Sequence, residues 1–105
     1  YGIVRAAQNA AIEKIRPGAK ISEIDLAGRG YIARKGYGKF FGHSLGHGIG
    51  MDVHEEPGIS KRNDNILKSG MVFTVEPAIY LPKLGGVRIE DMVLVTDKGC
   101  EVLTR

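Results

Sequence analysis

Phe40 to Pro57, reading FFGHSLGHGIGMDVHEEP, limits the chain's fold more than any other stretch. It contains all three histidines, His43, His47 and His54, together with Gly42, Gly46, Gly48 and Gly50. Glycine inside a helix costs roughly 1 kcal/mol relative to alanine. With Gly46, Gly48 and Gly50 crowded behind His43, a helix here is disfavoured. The four-residue step from His43 to His47 is therefore not the helical HExxH zinc arrangement, and Ser44 stands where that motif needs glutamate. The stretch reads instead as an extended, glycine-lined segment that brings backbone and imidazoles close to a ligand. Neutral imidazole is a common metal ligand and proton carrier near neutral pH.

The 105 residues suffice for one small domain with one core. A net charge of +3 comes from scattered Lys and Arg, so no nucleic-acid partner is expected. No apolar run nears the roughly 20 residues that span a membrane, and no membrane partner is expected. Cys100 is alone, so no internal disulfide is possible; this favours a reducing compartment, the cytoplasm. The opening YGIVRAAQNAA has no signal-peptide pattern and no initiator Met, which reads as a piece of something longer.

Gly2 to Ile15 carries a helical period in Ile3, Ala6, Ala7, Ala10, Ala11 and Ile15, with Arg5, Gln8, Asn9 and Glu13 largely between them. Arg16-Pro17-Gly18 stops it. Ser22 reads as an N-cap with Asp25 three residues on, opening a helix from Glu23 to Lys35 that ends at Gly36. Gly28 and Gly30 inside it mark a place where another backbone comes close. Gly58 to Asn65 reads as a polar loop, and Leu67 to Gly70 as a turn. Met71 to Leu81 and Val87 to Thr96 read as strands around a turn at Leu81 to Gly86, and Glu101 to Thr104 as a short last strand.

A hairpin centred on Lys83 sets Ala78 opposite Arg88 and Glu76 opposite Glu90, with Glu76, Arg88 and Glu90 on one face. Like charges facing each other destabilise a sheet. Two such carboxylates must share a proton, pair with a cation such as Arg88, or bind a metal. The apolar neighbours of Glu90 and Asp91 argue against exposure of that pair. Pro77 after Glu76 marks an edge or bulge. For Glu55 and Glu56 a solvated loop role is the expectation. On residue chemistry alone, a metal or acid–base site and a purely structural role both stay open.

Three motifs in order, GHSLGHGIGMDVHEEP, GMVFTVEPAIY and GVRIEDMVLVT, resemble the metallopeptidases of the pita-bread fold, and the first helix with its IRPG stop is similar too. That family includes Xaa-Pro dipeptidase (prolidase), aminopeptidase P and methionine aminopeptidase. The run Val87-Arg88-Ile89-Glu90-Asp91 resembles the proline-directed branch. The resemblance implies an α+β fold, the C-terminal half of a pita bread, with two helices on an antiparallel sheet. It implies two divalent ions, Mn, Co or Zn, with His47, Glu76 and bridging Glu90 as ligands. It implies that His54 stands near the scissile carbonyl oxygen, His43 near the proline side, and that Arg88 holds the arrangement or the substrate's carboxylate. Glu76, with His54 and His43, is the expected catalytic set, acting on a proline-containing peptide in a protein that forms a homo-oligomer, a dimer.

The family's other two ligands are aspartates from a strand pair before the first helix. Asp25, Asp52, Asp64, Asp91 and Asp97 do not match them. Residues 1–105 therefore read as the C-terminal part of a catalytic domain, carrying three of five ligands and inactive alone. A non-catalytic binding domain on the same fold, or a methionine aminopeptidase, is the alternative.

Overall fold

The computed structural model describes residues 1–48 and 58–104. Helix α1 (Gly2–Ile12) buries Val4, Ala7, Gln8 and Ala11, one stripe at three- and four-residue steps. Gln8 departs from its expected polar position. Its Nε2 donates to the Val75 carbonyl at 3.2 Å, and its Oε1 accepts from Arg5 at 2.9 Å, so the buried amide is satisfied. The helix also ends three residues earlier than the period implied. Lys14 and Ile15 donate to the carbonyls of Ala11 and Ile12, three residues back, and this tightened turn carries Ile15 into the core.

Helix α2 (Ile21–Arg34) starts two residues before Glu23, and Ser22 does not cap it. Lys20 is held extended by its bridge to Ile66, and Ile21 N–H donates to Asn65 O at 2.9 Å, so the helix turns there. Ser22 Oγ then lies inside the first turn and donates to Asp64 Oδ1 at 2.8 Å. The end at Gly36 is as expected. Gly36 has φ 90°, and Gly36 and Tyr37 N–H reach back to Ala33 and Ile32 carbonyls in a Schellman closure. At Gly28 a Cβ would sit 3.1 Å from Leu45 Cδ1 and 3.5 Å from Ala7 O, so its absence lets α1 close on α2. Gly30 faces only its own helix's Arg34, so the expectation of close approach fails there.

Seven short strands follow among the described residues: β1 (Gly46–His47), β2 (Gly58–Ile59), β3 (Val72–Val75), β4 (Ala78–Leu81), β5 (Gly85–Arg88), β6 (Asp91–Thr96) and β7 (Gly99–Val102). Among the described residues all pairing is antiparallel, in three small sheets, β1–β2, β3–β6–β7 and β4–β5, rather than one continuous sheet. The Lys83-centred register holds on both sides of a gap: Ala78 pairs with Arg88, and Val75 with Asp91. At the gap, Glu76-Pro77 faces Ile89-Glu90 and the two expected long strands each break in two. Pro77 has no N–H to give, and the remaining link is Ile89 N–H to Pro77 O at 3.3 Å. Leu84 N–H closes on Leu81 O at 3.1 Å, with Pro82 second and Lys83 at φ 68° third, as a type II turn requires.

Two expectations shift in the remaining strands. Gly58–Ile59 is a strand rather than loop, because fully buried Ile59 pairs with Gly46. The last strand begins at Gly99, since a two-residue turn at Asp97-Lys98 sets Thr96 opposite Gly99. The core lies between the helices and the inner face of β3 and β6, where Phe73, Val75, Val93 and Val95 are at most 1% exposed. Each such side chain contributes on the order of 1.5–3 kcal/mol by burial. That face carries the rigid platform from which Glu76 and Glu90 leave the sheet. No described helix is long and apolar enough to cross a membrane.

Candidate metal centre

The segment around His47 is extended, as its glycines imply. His47 ends β1, and its N–H donates to Thr74 Oγ1 at 3.0 Å. Gly46 lies directly on β3, where a Cβ would overlap the Thr74 carbonyl. Glu76 N–H donates to Leu45 O at 2.7 Å, which ties the Glu76 backbone to the residue two before His47.

These constraints bring His47, Glu76 and Glu90 together, with one ligand-type atom from each lying within 4.8 Å of the others. His47 Nε2 is 3.5 Å from Glu76 Oε2. That oxygen is buried and has no hydrogen-bond partner among the described residues. An orphaned carboxylate oxygen costs stability unless something charged or protic meets it. An imidazole and two carboxylates converging on one point form a donor set that fits a divalent cation.

The Glu90 carboxyl is held above its ordinary range. The first cause is hydrogen bonding with the Glu76 carboxyl, then burial, then the Glu76 charge; Arg88 and His47 pull the other way. Glu90 itself is exposed, contrary to expectation, while Asp91 is buried. Alternation explains it: Asp91, Val93 and Val95 share the core face of β6, so Glu90 lies outside it. Asp91 accepts from Thr104 at 2.6 Å and lies 3.7 Å from Arg5.

A pH dependence follows for the metal-free chain. The folded state binds the Glu90 proton more tightly than the unfolded state does, because its pKa is raised. The resulting stability is fully present below the ordinary glutamate pKa and is lost as pH rises through the raised value. The urea midpoint is expected to fall over that window, and Glu90→Gln to flatten the slope.

His43 and Arg88 lie beside the cluster, lining with His47 and Glu76 an open cleft of about 480 Å³. His43 Nδ1 is 2.6 Å from Ser44 O, and its ring meets Phe41 edge-on at 4.9 Å and Tyr80 at 6.1 Å. His43 Nε2 is buried without a partner among the described residues. The Arg88 guanidinium lies over the Tyr80 ring at 5.8 Å. His54, with Asp52, Glu55 and Glu56, falls outside the described residues. A smaller hollow of about 250 Å³, lined by Val4, Ile79, Leu81 and Leu84 among others, contains none of these groups.

Sequence reasoning missed Asp25, Arg29 and Thr74 as supports. Asp25 is fully buried on α2, paired with Arg29 at 2.8 and 3.2 Å, and accepts the Leu45 N–H at 3.2 Å. The signal was the opposite-charge i,i+4 spacing of Asp25 and Arg29. Thr74 gave none.

The profile of metallopeptidase family M24 matches residues 1–97. An Xaa-Pro dipeptidase of Pyrococcus furiosus is 52% identical over 105 residues, which are 100% of this chain and 30% of that protein. The X-Pro aminopeptidase structure from Thermotoga maritima MSB8 is similar at 51% identity and TM-score 0.95, over 99% of this chain and 30% of that one. The methionine aminopeptidase structure from Rickettsia prowazekii is similar at 31% identity and TM-score 0.80, over 99% of this chain and 50% of that one. The chain thus spans about 30% of the length of the curated relatives it matches. The α+β class, with two helices against antiparallel strands, is that of these pita-bread neighbours.

Proposed function

This chain belongs to metallopeptidase family M24, and we propose that residues 1–105 are the C-terminal part of the catalytic domain of a metal-dependent Xaa-Pro peptidase. The observation that carries the reading is the convergence of His47, Glu76 and Glu90 around the orphaned Glu76 Oε2. These three would hold two divalent ions, Mn, Co or Zn, together with two aspartates from chain outside residues 1–105. When bound, such ions would lower the pKa of a water and polarise a carbonyl.

The rest is the work of side chains. Glu76 takes the attacking water's proton and returns it to the leaving proline nitrogen. His54 donates to the oxyanion. His43 contacts the proline side; its place in the cleft lining, with Nε2 unpartnered among the described residues, supports that role. Arg88 holds the substrate's carboxylate or the arrangement around it. Identity of 52% and 51% to proline-directed relatives, against 31% to a methionine aminopeptidase, supports the Xaa-Pro class. A cytoplasmic dimer without nucleic-acid or membrane partners completes the proposal.

The test is hydrolysis of Ala-Pro and Gly-Pro by the full-length protein, with and without Mn or Co. Metal-dependent turnover is expected, faster than removal of N-terminal Met. No metal-dependent turnover would overturn the enzyme reading and favour a binding domain.

A further inference from the structure

We propose that Asp25 and Arg29 are positioning residues for His43, and that Arg29 sets the imidazole through the backbone of residues 41–45. This rests on the reading of His43 as a substrate-side group. Asp25 is fully buried and forms a two-pronged pair with Arg29 from one turn of α2. The guanidinium's other hydrogen bonds leave the helix: Nη1 donates to Phe41 O at 3.1 Å and Nη2 to His43 O at 2.8 Å. Its carbon lies 4.4 Å above the centre of the Phe41 ring. Asp25 Oδ2 adds a third anchor at Leu45 N–H, 3.2 Å away. The loop between the 3₁₀ turn Gly38–Phe40 and β1 is thus pinned at three backbone points by one ion pair.

The backbone and the inner ring face of His43 are both set by this clamp, with Tyr80 meeting the ring at 6.1 Å from outside it. Its carbonyl is held by Arg29, its ring rests edge-on against the same Phe41 that Arg29 covers, and its Nδ1 turns back to Ser44 O. That leaves Nε2 as the ring's polar atom with no hydrogen-bond partner among the described residues, in a residue that lines the cleft. For stability alone a buried ion pair has little advantage over apolar packing of the same volume. A planar fork reaching two carbonyls while gripping a carboxylate is a task for arginine that a lysine ammonium does not match.

The experiment is a double-mutant cycle in the full-length protein with Arg29→Lys and His43→Ala, read on Ala-Pro, with a second readout by histidine ring NMR on metal-free protein. Arg29→Lys alone is expected to lower kcat/KM about tenfold or more, as lost outer supports commonly do. In the His43→Ala background the same change is expected to have less than about a twofold effect, since the two act as one unit. The ring signals of His43 should move in Arg29→Lys while those of His47 stay. Equal losses in both backgrounds, or an unmoved His43 signal in a folded Arg29→Lys protein, would overturn the proposal. If Arg29→Lys does not fold, Phe41→Leu, which removes the ring shared by Arg29 and His43, enters the same cycle with the same two outcomes. Lack of wild-type turnover would sink the peptidase reading instead, and the NMR comparison would still decide the positioning role.

Discussion

Replacing Glu76 with glutamine in the full-length protein is expected to lower kcat/KM for Ala-Pro by more than about a hundredfold, the upper range for losing a mere outer partner of a metal ligand. Glutamine keeps the shape and removes both things asked of this residue. It offers no anionic oxygen beside His47 Nε2, 3.5 Å away, and it cannot carry a proton between water and the leaving nitrogen. Losing the proton carrier alone is commonly worth about 10²–10⁴ in rate. Stability should move differently. Glu76 Oε2 is buried with no hydrogen-bond partner among the described residues, and the Glu76 carboxyl is the first cause holding Glu90 above its ordinary range. Removing one carboxylate charge should leave the metal-free urea midpoint unchanged or raise it. Metal content and kinetics measured on the same preparation check both halves. Undiminished turnover with full metal loading would remove Glu76 from the site.

Gly46→Ala should be among the most destabilising single methyl additions in the chain. The new Cβ would overlap the carbonyl oxygen of Thr74 and crowd its Oγ1 at 3.1 Å. A flexible side chain could swing aside, but this carbonyl belongs to β3, whose Phe73 and Val75 are fully buried. Relief therefore means lifting β1 from β3, which breaks the His47 N–H to Thr74 Oγ1 bond and moves His47 off Glu76. The cost is expected to be about 3 kcal/mol or more, the top of the usual range for overpacking. Gly42→Ala, in the same segment but with nothing within 4 Å of the added carbon, should stay within about 0.5 kcal/mol of the parent. Urea unfolding of the two variants decides it, and equal midpoints would contradict the close packing described.

What could be read in advance was what depends on local pattern. Lys83 centres a turn flanked by β-rich runs, so the register placing Glu76 across from Glu90 followed from symmetry, and the pairs on either side obey it. The glycines after His43 forbade a helix by backbone chemistry. What could not be read was how side chains are used across the fold. Ser22 and Asp25 look like a capping pair because capping is the local use of that spacing. Tertiary contacts claim both, one for Asp64 and one for Arg29 and Leu45. Gln8 looked solvated until a β3 carbonyl needed its donor. The same limit hid which of Glu90 and Asp91 faces the core, since both sit among apolar neighbours and only the strand's phase against β3 separates them.

The central claim is that residues 1–105 hold part of a metal centre, with His47, Glu76 and Glu90 as its share. The most direct test is calorimetric titration of Mn or Co into the isolated 105-residue chain, with an Ala-Pro assay on the same sample. Hard divalent ions bind weakly where oxygen ligands are few. The expected result is no pair of ions bound at micromolar affinity and no turnover. Two ions bound at that affinity, with hydrolysis of Ala-Pro, would contradict the account, because three side chains would then suffice for the whole centre.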